Sequence, residues 1–234
     1  MKNLTYLTFI LTLTSLACFA DEKSLYDFKW LDEGEKVYVI QNKEYVKARS
    51  IGLDLSIIDS NSSPYQDTSG FSLALAYYFT ETWSIDLTYK MYNNSDSADL
   101  TNLLNINVNT TQTKPLIRKI NAAKLIHINW IPFYGKINTF NKIFFFDWGL
   151  GLGFGQFDTS GNYETFDKKN LSITFKDEVD TGFNLRSFAK FYIGQSMTMG
   201  FEYNLTGVET IKSIDGSKEI LYYNDIIGTI GYIF

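Results

Sequence analysis

His127 is the only histidine in the chain, and so the one side chain that could serve as a general base near neutral pH without a perturbed environment. To activate a nucleophile it would need a hydroxyl and an orienting acid or amide within hydrogen-bond reach. Its neighbours put it on the polar side of an alternating stretch, with Ile126, Ile128 and Trp130 on one face and His127 and Asn129 on the other. The other groups able to do chemistry are the scattered charges Asp54, Asp86, Lys90, Asp147, Arg186, Lys190, Glu202 and Asp225. These carboxylates have no metal-ligand spacing and lack the extra His or Cys that transition metals favour, so no cofactor is expected, while a calcium site in the Asp-rich loops stays open. Gly149, Gly151, Gly153 and Gly155 superficially echo a nucleotide-binding loop. Their period is two, with Leu150, Leu152 and Phe154 between them and no helix after, which is the pattern of a strand that leaves room for side chains beside it.

Each of these residues falls on one face of an alternating segment, and the segments must position them. Counting alternation predicts strands over 48–58, 70–80, 82–92, 120–131, 142–156, 181–192, 196–206 and 220–234. Glu81 and the Gly194-Gln195 corner read as tight turns, and 132–141 as a moderate connection. The long polar connections are 59–69, 93–119, 157–180 and 207–219, in alternation with the short ones. The fold class that follows is all-β: a transmembrane antiparallel up-and-down β-barrel of about eight strands. A water-soluble barrel would need the apolar face inside, and an eight-stranded interior cannot hold Phe144, Phe146, Trp148, Phe154, Phe183, Phe191, Phe201, Tyr203 and Tyr232 together. The charged residues above, with His127, then share the lumen. Their signs nearly balance, as a narrow interior filled by side chains requires, and Arg186 is expected to meet Glu202 across the β-corner at Gly194-Gln195. Trp83, Trp130 and Phe234 are expected to form an aromatic girdle on the lipid face near the short-turn rim.

Composition agrees. Aromatic residues make up 17% of the chain and hydrophobic ones 45%, yet the mean hydropathy is only -0.12, because barrel strands hide apolarity in alternation. Past the first twenty residues no apolar run is long enough for a transmembrane helix. The net charge of -5 and pI of about 5.0 provide no basic stripe, which sets nucleic acid aside. Residues 1–20 read as a secretory signal peptide, with Cys18 raising a lipidated N-terminus as the alternative. Residues 21–47 read as a polar periplasmic leader with one β-like stretch at 36–40, and 48–234 as the barrel.

Strand 220–234 has Ile226, Gly228, Ile230, Tyr232 and Phe234 on its outward face and ends on an aromatic. It resembles the C-terminal sorting strand of bacterial outer-membrane barrels, which implies recognition by the barrel-assembly machinery. Ile131 to Lys136 contains Pro132, Gly135 and Lys136 in a Pro-x-x-Gly-Lys pattern. With Phe144-Phe145-Phe146-Asp147-Trp148 and Tyr77-Tyr78-Phe79-Thr80-Glu81, it is similar to the outer-membrane β-barrel domain family of myxobacteria and predatory deltaproteobacteria, from about residue 37 onward. Tyr78 stands where that family commonly has histidine, and the Pro132 segment corresponds to a periplasmic turn. The resemblance implies fold and membrane and no activity. Expected partners are therefore outer-membrane lipid, lipopolysaccharide and the assembly machinery, with an unidentified surface ligand possible for the long loops. The function expected is a non-enzymatic barrel of the cell outer membrane with a filled lumen. The alternatives are a small pore for ions or solutes and a lipid-modifying hydrolase that uses His127.

Overall fold

A strand buried away from water must find a backbone partner on each side, and a closed ring of strands is the arrangement that leaves no edge. The computed structural model describes residues 43–107, 115–139, 142–162, 174–211 and 217–234. Its eight antiparallel strands are β1 (Ile51–Ser63), β2 (Gln66–Tyr78), β3 (Trp83–Asp96), β4 (Arg118–Thr139), β5 (Lys142–Gly161), β6 (Lys176–Ile193), β7 (Met197–Ile211) and β8 (Lys218–Ile233). Neighbours follow chain order, and β8 bonds back to β1 to close the barrel. The signal peptide, the 36–40 stretch and most of the leader lie outside the described residues.

The pairing is staggered. Following paired residues from Gly52 through Ala76, Asp86, His127, Gly153, Asn184 and Thr206 to Tyr223 returns to β1 one place beyond Asn61, at Ser62. That displacement of ten residues (62 less 52) goes with strongly tilted strands and an interior just wide enough for side chains to fill.

Outward-facing side chains form an apolar belt in which Leu55 is 61% exposed, Phe71 65%, Phe201 63% and Ile226 62%. So much contiguous apolar surface has hydrocarbon as its natural surroundings, and the barrel is of the transmembrane type. Among the described residues no helix is long and apolar enough to cross a membrane, so the crossing belongs to the strands.

Five connections differ from the sequence reading. Within 157–180, β5 and β6 pair out to Gly161↔Lys176, and within 207–219, β7 and β8 pair out to Ile211↔Lys218, so both connections are shorter than the alternation suggests. The 59–69 stretch is not a long loop: β1 and β2 pair out to Ser63↔Gln66, leaving Pro64 and Tyr65 as the turn. Its inward side chains are polar, mostly hydroxyls, with Ser62 Oγ bonded to Thr68 Oγ1 at 2.9 Å, so its strand period carries no hydropathy signal. Pro132, Gly135 and Lys136 are not a turn either; all three lie inside β4. Pro132, which has no N–H to give, sits where the β4/β5 register shifts between Trp130 and Phe133. Gly135 lies under the Phe146 ring, where a Cβ would collide. β4 and β5 run on together to Thr139↔Lys142, so the turn lies further along than expected. In the 93–119 connection, α1 (Ala98–Asn107) starts at Ser97, whose Oγ accepts from the Leu100 amide at 3.3 Å as an N-cap.

Two apolar clusters line the interior toward its ends. Ile58, Tyr92, Ile120, Leu125, Phe157, Val208, Tyr223 and Ile227 pack together in the loop-side half. Ala76, Tyr78, Ile131 and Phe188 pack near the short-turn end, with Ile233 against them. Leu125, an irregularity in the inner-face pattern of β4, is a member of the first cluster.

Candidate functional site

The strand period turns Asp54, Asp86, Lys90, His127, Asp147, Arg186, Lys190, Glu202 and Asp225 into the lumen, and all but Glu202 are fully buried. Glu202 has a side chain 10% exposed. A buried charge is tolerated when it is paired, and the geometry provides most of the counter-charges from strands that are not neighbours, although one oxygen each of Asp147 and Asp225 has no hydrogen-bond partner.

Arg186 on β6 crosses to β3, where its Nη2 donates to Asp86 Oδ2. Its Nε donates to Asn129 Oδ1 at 2.8 Å, and Asn129 Nδ2 donates to Ser84 Oγ at 2.9 Å. Ser84 Oγ in turn donates to Asp86 Oδ1 at 3.3 Å, closing a ring of polar contacts. Glu202 stands 3.8 Å from Arg186 Nη1, an ion pair without a hydrogen bond. In register, Arg186 faces Asn204, so Glu202 is one diagonal step away. Lys190 Nζ donates to Asp54 Oδ2 at 2.5 Å, spanning β6 to β1, with the Tyr78 hydroxyl 3.4 Å away. Nearer the loops, Lys90 Nζ and the Tyr92 hydroxyl both donate to Asp225 Oδ2 at 2.8 Å.

His127 has two partners. Its Nε2 and Asn184 Oδ1 are 3.0 Å apart, and its Nδ1 and Thr88 Oγ1 3.3 Å. Asn184 Nδ2 donates to Thr206 Oγ1 at 2.7 Å, which leaves its carbonyl oxygen facing the imidazole. Hydroxyl, imidazole and amide thus stand in the order a nucleophilic triplet would take. Thr88 is 7% exposed, His127 1% and Asn184 0%, so no carbonyl substrate could approach the hydroxyl. The triplet satisfies buried polar groups.

The inward glycines of β5 make room for these groups. A Cβ on Gly153 would meet the His127 ring, one on Gly151 would meet Asn129 and Arg186, and one on Gly149 would meet Phe188. Among the described residues no group of three or more His, Cys, Asp or Glu could hold a metal ion.

Asp147 takes a partner from outside the barrel wall. Lys47 Nζ donates to its Oδ2, as does the Tyr192 hydroxyl at 2.5 Å. Lys47 belongs to a strap, residues 43–50, that crosses the short-turn mouth. The carboxylate of Glu81, in the β2/β3 turn, accepts from the amides of Lys47 at 3.0 Å and Ala48 at 2.7 Å, and from Lys43 Nζ at 2.7 Å. Burial pushes the Glu81 carboxyl up, but Lys43 and the two amides outweigh it and hold it below its ordinary value. Nothing in the alternation pattern marks Lys47 as a lumen residue, since it lies outside every strand.

On the outside, Trp83 and Trp130 are directly paired at the short-turn end, 47% and 46% exposed. Phe234 lies at the same rim, its amide bonded to Ile51 O at 2.8 Å. Ile226, Ile230 and Tyr232 point outward from β8, and Gly228 lies against Ile57 of β1.

Solved structures to which this chain is similar include the N-terminal β-barrel domain of Pseudomonas aeruginosa OprF, with 11% identity, 80% of this chain and 99% of that chain covered, and a TM-score of 0.46. Neisserial surface protein A matches at 10% identity, with 79% and 96% coverage and a TM-score of 0.43. Ail of Yersinia pestis matches at 12% identity, with 79% and 97% coverage and a TM-score of 0.40. No protein-family model matches the chain, and no curated protein is significantly similar to it in sequence.

Proposed function

We propose that the chain is a non-enzymatic integral protein of the bacterial outer membrane, closed along its axis, whose work is done by the part that stands clear of the bilayer. The observation that carries this reading is the lumen: ion pairs join β3 to β6, β1 to β6 and β3 to β8 across the interior, with an apolar cluster toward each end. A water-filled pore would need that space.

The loop-side ends of the strands support a surface role. On β1, β2 and β3 the outward apolar face stops near Ile57, Phe71 and Met91 and continues as exposed Asp59, Asn61, Asp67, Ser69 and Asn93 on strands that are still paired. With about 9–11 residues enough to span a bilayer, strands of 13 to 22 residues carry the sheet beyond it. In this reading residues 1–20 are removed on export, the assembly machinery recognises the outward face of β8, and lipopolysaccharide surrounds the polar collar.

Planar-bilayer recording of the refolded protein tests the closed lumen. The expected result is no large steady conductance, together with faster migration of unboiled than boiled protein on SDS gels. A steady large conductance would replace this reading with the pore, and identical migration with a soluble periplasmic location would remove the membrane.

A further inference from the structure

The strap at the short-turn mouth holds more than a salt bridge needs. Asp147, Tyr192 and Tyr78 belong to the barrel wall, on β5, β6 and β2, and together make a pocket with one carboxylate and two aromatic rings. Lys47 Nζ sits in it, bonded to Asp147 Oδ2 and 5.7 Å from the centre of the Tyr78 ring, within range of a cation–π contact. Asp147 is 3% exposed, and its Oδ1 has no hydrogen-bond partner. Tyr45 closes the pocket from outside, stacked on Tyr192 at 4.4 Å and edge-on to Phe145 at 5.5 Å.

We infer that this mouth is a binding site for a primary ammonium group on an apolar stem, and that Lys47 occupies it in cis. The wall presents the Asp147 carboxylate whether or not the strap is seated, and with Lys47 seated on it that carboxylate is 3% exposed, so removing the ammonium without a replacement leaves its charge unpaired. An ammonium with N–H donors can bond Asp147 as Lys47 does at Oδ2, while its stem lies among the rings. A quaternary ammonium carries the same charge and no donor. The strap is also held by Glu81, which accepts from the Lys47 and Ala48 amides and from Lys43; with the Glu81 side chain 31% exposed and that of Lys43 22%, a soluble cation can compete with Lys43 there. A lysyl side chain of another polypeptide or a polyamine has the chemistry to take the place of Lys47. This inference does not depend on where the loops face or what they bind.

The test uses the full chain refolded in detergent. Lys47→Met keeps the stem and removes the charge. It should convert to the unfolded form at a lower temperature than the wild type on heated gels, and n-butylammonium chloride should raise that temperature saturably. Tetramethylammonium and sodium chloride at the same ionic strength should not, and Lys47→Met with Asp147→Asn should not respond to butylammonium. Equal responses to the three salts, or none, would overturn the site. Reductive methylation read by mass spectrometry gives an answer even if Lys47→Met does not assemble. In the wild type Lys47 should label about tenfold or more slowly than Lys136 and Lys142, both exposed on the β4/β5 hairpin, and Asp147→Asn should bring it up to their rate. Labelling of wild-type Lys47 at the rate of Lys136, or no change in Asp147→Asn, would overturn it as well.

Discussion

Arg186 on β6 is hydrogen-bonded to Asp86 on β3, a residue one hundred positions earlier and on the far wall of the barrel. Neighbouring strands provide Asn204 directly opposite and Glu202 one step along the diagonal, and the sequence alone points to Glu202. In so narrow a barrel the straight line across the lumen is within reach of a long side chain, so Asp86, distant around the sheet, is near through the middle. Glu202 remains at 3.8 Å and adds its charge without a hydrogen bond.

Breaking this pair by one partner leaves an uncompensated interior charge. Asp86→Asn or Arg186→Met alone should destabilise the barrel by about 3–5 kcal/mol, less where water enters, and the double change should recover part of the loss. Glu202→Gln should cost less than Asp86→Asn. Urea titration of the refolded proteins measures all four; strictly additive losses would remove the coupling, and a larger loss in Glu202→Gln would return the main partnership to Glu202.

Gly153 and His127 are directly paired across β4 and β5, and the imidazole lies where a Cβ on Gly153 would project. Gly153→Ala should destabilise by about 1–3 kcal/mol, as overpacking does. Shortening the neighbour in Gly153→Ala/His127→Ala should remove much of that clash. Gly155→Ala meets the Lys124 carbonyl instead, a backbone atom that cannot swing away, so His127→Ala should give it no relief. Chemical-denaturation midpoints distinguish the two glycines.

The grip of Glu81 on the strap should depend on pH. Its carboxyl is held below the ordinary value of 4.5, so the contribution is complete above that pH and is lost as pH falls through the lower, folded value. Hydrogen exchange at the amides of Lys47 and Ala48, referenced to the intrinsic rate at each pH, should show steady protection from neutral pH down to about 5 and a decline below 4.5. Glu81→Gln should remove the dependence. Protection that declines already near pH 6 would show that another group controls the strap.

Strand β8 closes the barrel on β1, with Tyr232 paired to Leu53 and the Phe234 amide bonded to Ile51 O. Deleting Phe234, or changing Tyr232 and Phe234 together to Ser, should lower the yield of assembled barrel far more than an equally sized change in the 93–119 connection. Heat-modifiable protein in outer-membrane fractions measures the yield, and equal yields would remove the special role of this strand.

The order, number and facing of the strands were readable because a strand half in lipid and half in a polar lumen must alternate. Ile226, Ile230 and Tyr232 against Asp225, Ile227 and Thr229 follow that rule in β8. Strand ends were less readable where hydroxyls replaced apolar residues, as in Ser60, Ser62 and Thr68, which keep the period without a hydropathy contrast. Pro132 misled for a related reason: a residue that ends most central strands is accommodated at a bulge, and only the register of β4 against β5 shows where that bulge lies.

By itself the sequence determined which side chains face inward, because that depends on a period of two along each strand and on nothing further away. Which of them meet was decided by the tertiary structure. Pairing across the lumen depends on the stagger that brings Gly52 round to Ser62 and on the small diameter that goes with it, quantities that belong to the closed ring and to no strand alone. The same closure brought Asp54 to Lys190, Asp86 to Arg186 and Lys90 to Asp225. It also created a mouth for Lys47 to enter, and Lys47 belongs to no strand, so no period could have placed it there.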